Sequence, residues 1–528
     1  MPDQGVSLDF LDRRLAVALV PYRPTLEFTL QTIVAKQSER AEQSVHSVHS
    51  APVSAHLPVA VRWILLSLSL STLLSSLGTS IANVGLPTLA EAFHATFQQV
   101  QWVVLAYLLA ITTLIVSVGR LGDIAGRRRL LLGGILLFTL GSLLCGFAPA
   151  LWFLIGGRAV QGAGAAIMMA LALALIGETV PKDKTGTAMG LLGTMSAIGT
   201  ALGPSLGGVL IAGCGWQAIF FINLPLGMLA FFLVRRFLPV DLPLADKATP
   251  GFEHSGFDYL GSLMLAITLG AYAMAMTVGR SAAGSFHFDV VNAGLLVLAA
   301  AGLGLFVLIE KRAAAPMVPL TMFRKPRFSA SLAMNALVST VMMATLVVGP
   351  FFLSRAFGLG TAALGVIMSI GPIISAISGF PAGRMVDRLG APVMVIAGLG
   401  AIAAGAFGLA LPASLLSPIY GVTAYIAAMA ILTPGYQLFQ AANNTTVMAE
   451  VDARQRGVVS GMLSLSRNLG LVSGASVMGA VFSLGAATSD VLTAPPEAVA
   501  AGMRLTFVVA GMLILLAVAI AATSYRKR

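Results

Sequence analysis

Gly119-Arg120-Leu121-Gly122-Asp123-Ile124-Ala125-Gly126 returns far down the chain as Gly383-Arg384-Met385-Val386-Asp387-Arg388-Leu389-Gly390. Both octets read G-R-x-x-D-x-x-G, and each sits in a short charged gap between two long apolar runs. One copy is compatible with chance. Two at matching places in a hydrophobic chain indicate a duplicated membrane bundle, the architecture of proteins that move small molecules.

Composition agrees with that reading. Charged residues make up 10% of the 528-residue chain and hydrophobic ones 57%, where a soluble globular domain carries about 25% charge. Mean hydropathy is +0.90. The net charge of +11 would suggest a nucleic-acid partner in a soluble protein. Here the basic residues crowd into alternate gaps between apolar runs, a bias that sets membrane orientation. The expected partner is therefore the lipid bilayer, with no nucleic acid. Two cysteines give no disulfide framework or metal cluster; Cys145 and Cys214 both fall near the same side of the bundle, which leaves a disulfide geometrically open. Residues 1–57 mix charges, prolines and polar residues without a continuous apolar segment. They read as a disordered cytoplasmic tail with no cleavable signal peptide.

A span of about 20 apolar residues crosses the hydrocarbon core. Windows of that kind fall near 61–83, 100–118, 130–148, 152–176, 186–212, 217–238, 257–278, 290–309, 328–352, 361–381, 392–411, 417–440, 457–483 and 504–524. Between Arg388 and Glu450 no charged residue occurs at all. Trp63, Trp102, Trp152 and Trp216 each fall at a predicted span end, where amphipathic rings prefer the headgroup region. One set of gaps carries Arg127-Arg128-Arg129, Lys182/Lys184, Arg235-Arg236, Lys311-Arg312, Arg384/Arg388 and Arg526-Lys527-Arg528. The other set carries only Arg280, Arg355 and Arg504. This pattern predicts an all-α polytopic protein of the inner (plasma) membrane, with fourteen spans and both termini cytoplasmic. Long polar gaps bracket spans seven and eight. The expected division is a 58–238 N-terminal six-helix half, a 239–327 linker with two inserted spans, and a 328–528 C-terminal six-helix half.

On these residues the chain resembles the major facilitator superfamily, in the fourteen-helix drug/proton antiporter branch (EmrB/QacA-like). The octet with Arg127 and Arg128 is similar to the signature between helices two and three. Arg158-Ala159-Val160-Gln161-Gly162-Ala163-Gly164 resembles the fourth-helix motif. Gly199 through Gly208, G-T-A-L-G-P-S-L-G-G, resembles the antiporter motif of the fifth helix. Gln101-Trp102 with Tyr107, Phe220-Phe221-Ile222-Asn223-Leu224-Pro225 and Phe257-Asp258-Tyr259-Leu260-Gly261 are similar to this branch in particular. The resemblance runs from about residue 60 to 525. It implies the major facilitator fold and efflux of small organic compounds in exchange for protons.

Each motif has a physical reading of its own. In the octets, Gly119, Gly126 and Gly383 permit tight turns. Arg120 and Arg127 can pair with Asp123, and an acid at the start of a helix meets the positive end of its dipole. The alternatives are a solvated topogenic loop and a conformational latch; the resemblance implies a latch at the cytoplasmic gate, with Arg384, Asp387 and Arg388 as its second copy. Arg158 lies inside an apolar span, with Gln161 at i+3. It is either an interior charge or an interface arginine that snorkels, and the resemblance associates it with proton coupling. Gly199, Gly203 and Gly207 recur at i, i+4 and i+8 beside Pro204 and Gly208. That is a helix-packing stripe, to which the resemblance adds antiport. Gly470 and Gly474 echo it in part, and Arg467 is a second candidate interior charge. Asn83, Tyr107, Asn335, Tyr436, Gln437, Gln440, Asn443 and Asn444 are candidate cavity-lining polar groups. Gln437, Gln440 and Asn444 share one helical face.

One position departs from the family. Where the branch carries an aspartate in the first span, this chain reads Leu77-Gly78-Thr79-Ser80. Without that carboxylate, neutral or anionic amphipaths are expected as better substrates than dications, and the route of the coupled proton is open. No G-x-x-x-x-G-K-[ST] segment, metal-ligand pair or Ser-His-Asp set is present, so no enzyme, cofactor or metal is expected. The competing readings are a metabolite or organic-anion exporter or uniporter, and a non-transporting membrane sensor on the same fold.

Overall fold

The computed structural model describes residues 59–180, 185–239, 259–277, 290–312, 320–411, 418–449, 456–487 and 494–526. Among these are fourteen helices long and apolar enough to cross a membrane. We number them α1 (Val59–Val84), α2 (Phe97–Ala125), α3 (Arg127–Gly146), α4 (Leu151–Thr179), α5 (Thr185–Cys214), α6 (Asn223–Phe237), α7 (Tyr259–Thr277), α8 (Val290–Arg312), α9 (Pro326–Phe357), α10 (Thr361–Leu389), α11 (Ala391–Leu409), α12 (Pro418–Ala449), α13 (Arg456–Ser473) and α14 (Pro496–Arg526). α13 continues through a π-helical turn, Gly474–Met478, into Gly479–Gly485, and a short helix, Ala218–Phe221, leads into α6. No strand occurs among the described residues. An even number of crossings puts both described ends on one side, here the terminal face; the other side is the distal face.

All fourteen expected windows coincide with helices, and several of the helices run further than the apolar runs. α2 extends to Ala125 and α10 to Leu389, so the octets are helical turns rather than gaps. Only Gly126 (φ 90°) and Gly390 (φ 87°) separate each octet from the next helix; these positive φ values are strained for residues with a Cβ. This corrects the helix-dipole expectation. Asp123 and Asp387 occupy the last turn of a helix, its negative end, rather than the first turn of one.

In hydrocarbon every backbone polar group must be satisfied within the chain, which favours unbroken helices. The Ser/Thr-rich stretch of α1 obeys the same constraint: Ser67, Ser71, Thr72 and Ser75 each donate to the carbonyl four residues earlier. At the distal face α2 begins with a reciprocal cap, in which Thr96 accepts from the Gln99 amide and the Gln99 side chain accepts from the Thr96 amide.

One apolar core runs from α1 and α2 into α9 to α14. Trp152 is 65% exposed and Trp63 39%; the Trp63 ring stacks on Phe237 at 4.7 Å. Trp216 packs against Phe93 and Phe220. Trp102 is different: it lies within α2, and its Nε1 donates to Thr277 Oγ1 of α7 at 3.1 Å. Cys145 and Cys214 are both free, the first buried and the second exposed, so the open disulfide is not formed. The tail, residues 1–57, lies outside the described residues, as do Lys182, Lys184, Asp258, Arg280, Glu450 and the side chains of Arg120 and Asp123.

Candidate functional site

Arg158 is fully buried, which excludes the snorkelling alternative. Its Nε donates to the Val103 carbonyl at 2.9 Å. One terminal nitrogen donates to the Gly78 carbonyl at 3.0 Å and to Gln161 Oε1 at 2.5 Å. Gln161 passes the chain on to Ser142 Oγ at 2.6 Å. The guanidinium lies 4.1 Å from the centre of the Tyr107 ring, and the Tyr107 hydroxyl donates to the Ser75 carbonyl at 2.7 Å. Helices α1, α2, α3 and α4 thus meet around one cation, held by carbonyl dipoles, an amide and a π face. The other terminal nitrogen has no hydrogen-bond partner.

Gly78 explains that arrangement. A Cβ there would meet Phe138 ring carbons at 3.0 and 3.1 Å and the Tyr107 hydroxyl at 3.1 Å. Phe138 fills the place that a side chain at position 78 would need. Among the described residues every Asp and Glu lies in the first or last turn of its helix: Glu91, Asp123, Glu178, Glu310, Asp387 and Glu497. Glu310, at the end of α8, is nonetheless buried.

Four residues expected to line a cavity, Asn83, Tyr107, Asn335 and Asn443, are instead buried. Tyr107 is spent on Arg158 and Ser75, and Asn83, also fully buried, donates to the Thr79 carbonyl at 3.2 Å. In the C-terminal half a polar cluster does form. Gln437 donates to Ser375 Oγ of α10. Gln440 donates to Asn335 Oδ1 and to the Tyr436 hydroxyl, both at 3.2 Å. Asn335 in turn donates to the Leu463 carbonyl at 2.9 Å. Asn443 is buried and accepts from Ser331, whereas Asn444 is exposed. Arg467 is half-buried, with its Nε enclosed and unpartnered.

The fifth-helix motif splits into two contacts. Gly199, Gly203 and Gly207 face α1, where added Cβ atoms would meet the Leu73 carbonyl at 2.5 Å, Ser80 Cβ at 2.7 Å and Val84 Cγ1 at 2.8 Å. Gly208 faces the other half: its Cβ would meet the Thr361 carbonyl at 2.7 Å and Gly365 Cα at 2.8 Å. A Cβ on Gly365 would meet the Pro204 carbonyl at 2.5 Å. Pro204 therefore sits where α5 and α10 cross backbone to backbone.

Around the octets, Arg127 donates to the Ala174 carbonyl of α4 at 3.4 Å and Arg128 to the Arg235 carbonyl of α6 at 2.5 Å. Arg384 lies over the Phe380 ring at 4.3 Å. Arg384, Asp387 and Arg388 are exposed.

A seal at the distal face was not read from the sequence. Gln98 donates to Ser483 Oγ at 3.2 Å and Gln101 to the Ala475 carbonyl, within the π turn of α13, at 3.1 Å. Phe97, fully buried, packs edge-on against Phe351 and Phe482. Arg355 and Glu91 form an ion pair across the halves at 2.5 Å. The signal in the sequence is Gln98 and Gln101 at i, i+3, with Gln99 between them, at the start of an apolar run.

The Major Facilitator Superfamily profile matches residues 68–475. The chain belongs to this superfamily. It is 31% identical over 420 residues to the multidrug resistance protein Stp of Mycobacterium tuberculosis, covering 79% of this chain and 75% of that one. It is 30% identical over 423 residues to the riboflavin transporter RibZ of Clostridioides difficile, covering 80% and 88%. In fold it is similar to a bacterial homolog of the human lysosomal transporter Spinster, with TM-score 0.61, 16% identity, and 89% and 98% of the two chains covered. The protein is thus a multi-pass membrane transporter of the superfamily and not an enzyme.

Proposed function

We propose that this protein is a secondary exporter of small amphipathic organic compounds, driven by proton exchange, in the fourteen-helix drug/proton antiporter branch. It would lie in the inner (plasma) membrane with the terminal face cytoplasmic, divided into a 58–238 half, an inserted 239–327 segment and a 328–528 half. The observation that carries the reading is the junction of four N-terminal helices on the buried Arg158, at the position of the fourth-helix motif. A cation held without a nearby acid favours neutral or anionic amphipaths over dications. In this scheme Arg158 and Gln161 are coupling residues, Gln437, Gln440 and Asn444 contact substrate, and Asn83 and Tyr107 are reached only when the bundle rearranges. The octets, with Asp123 and Asp387, latch the terminal face in the alternate state. Similarity to a multidrug resistance protein supports the export of drugs.

A specific observation favours a second reading. With Gly78 in place of the acid, an organic-anion or metabolite exporter or uniporter is the alternative, and one relative is a riboflavin transporter. A compound-susceptibility screen on cells with and without the protein, repeated with a protonophore, separates them. Proton-coupled export predicts resistance that the protonophore abolishes; a protonophore-insensitive difference would favour the uniporter, and no difference would refute both.

A further inference from the structure

The two halves meet along two seams, α5 against α10 and α2 against α13, and these are not treated alike. At the distal face both are closed, the first by Gly208 on Gly365 and the second by Gln98, Gln101 and Phe97 on α13. Towards the terminal face they diverge. By the helical repeat, Gly193 lies about four turns before Gly208, rotated by about 60° from its face of α5, and Ala376 lies three turns after Gly365 on nearly the same face of α10. A Cβ at Gly193 would meet nothing within 4 Å, and Ala376 is exposed. From there to Gly390 only Ala382 and Val386 of α10 are buried. The α5/α10 seam is zipped at one end and splayed at the other.

The α2/α13 seam is covered instead by inserted helix α7. Trp102 donates to Thr277 near the distal face, and the Ser117 and Ser262 hydroxyls are 2.7 Å apart near the terminal face. These pairs keep one antiparallel register along α2 and α7, about 22 Å of helix at 1.5 Å per residue. On its other side Tyr272 of α7 donates to Ser473 of α13 at 3.1 Å. Leu265 and Leu269 pack in one apolar cluster with Val459, Met462 and Leu463 of α13, and Leu109 of α2 packs against it.

We infer that the inserted pair makes access from the bilayer one-sided. α7 plugs the α2/α13 seam along its depth, and lipid-dissolved amphipathic substrate reaches the interior through the α5/α10 seam on the terminal side. This rests on the transporter reading above and narrows its substrates to compounds that partition into the membrane.

The test uses the full chain carrying Cys145→Ser and Cys214→Ser in lipid nanodiscs, with a single cysteine replacing Gly193, Ala376 or Leu109 and labelled with bimane. Nanodiscs contain phosphatidylcholine with or without brominated acyl chains, which quench on contact. The expected result is severalfold stronger quenching at Gly193 and Ala376 than at Leu109. Leu469 of α13, packed on the same cluster, is a second covered site should the Leu109 variant misfold. Equal quenching at open and covered sites, or none at Gly193 and Ala376, overturns the inference. Quenching is read without flux, so a parent protein that moves no substrate would refute the transporter reading alone.

Discussion

Restoring the family's acid by Gly78→Asp probes how Arg158 is held. A carboxylate placed about 4 Å from the guanidinium gains about 4 kcal/mol at an effective dielectric of 20. Removing that carboxylate from water costs several kcal/mol, so the ionic contributions nearly cancel. What remains is steric. The new Cβ would stand 3.0 and 3.1 Å from the Phe138 ring and 3.1 Å from the Tyr107 hydroxyl, tighter than ordinary contact. Forcing extra atoms into a packed core costs about 1–3 kcal/mol, so the single variant should be destabilised by that amount. Phe138→Leu makes room, and in that background Gly78→Asp should cost at least about 1 kcal/mol less, since the two sites touch. Unfolding of purified protein in micelles, run as a double-mutant cycle, measures the difference. A Gly78→Asp variant as stable as the parent, or effects that simply add, would refute the claim that Phe138 has taken the acid's place. The double variant should also move dications better than the parent does.

Other expectations follow from the same geometry. Arg158→Lys cannot reach Val103, Gly78 and Gln161 together; each orphaned buried group costs about 1–3 kcal/mol, and flux in proteoliposomes should fall by an order of magnitude or more. Gly365→Val drives a side chain into the Pro204 carbonyl and Gly208, where backbone cannot yield, so it should abolish flux while a cysteine at Ser483 becomes reactive from the distal side. Gln101→Leu loses its bond to Ala475, about 1 kcal/mol, and should raise labelling of that cysteine about fivefold. Arg355→Gln removes an ion pair whose members are 28% and 61% exposed; such pairs are worth about 0–1 kcal/mol, so flux should stay within about twofold of the parent, and a larger loss would make the pair part of the gate.

Hydropathy located all fourteen helices because burial in lipid demands long apolar stretches, yet it misread their ends. Apolar runs report where hydrocarbon stops, whereas α2 and α10 stay helical through Arg120 and Arg384 until glycines at 126 and 390 turn the chain. Arg158 and Gln161 were legible because a charge in an apolar run has few uses. The enclosure of Tyr107 and Asn83 was not, since sequence cannot say which side of a helix a neighbour has claimed. The same holds for the distal seal and for Trp102. A tryptophan at a span end looks like a lipid anchor until α7 is seen to supply Thr277. The π turn of α13, which receives Gln101, leaves no residue pattern at all.

Flux through the purified protein reads the role of Arg158 directly. Proteoliposomes with an imposed pH gradient are loaded with a fluorescent anionic amphipath, and its movement is followed for the parent and for Arg158→Lys. Gradient-driven movement of the amphipath is expected for the parent, lost when the gradient is dissipated and lost in the variant. Equal movement through parent, variant and protein-free vesicles would contradict that role.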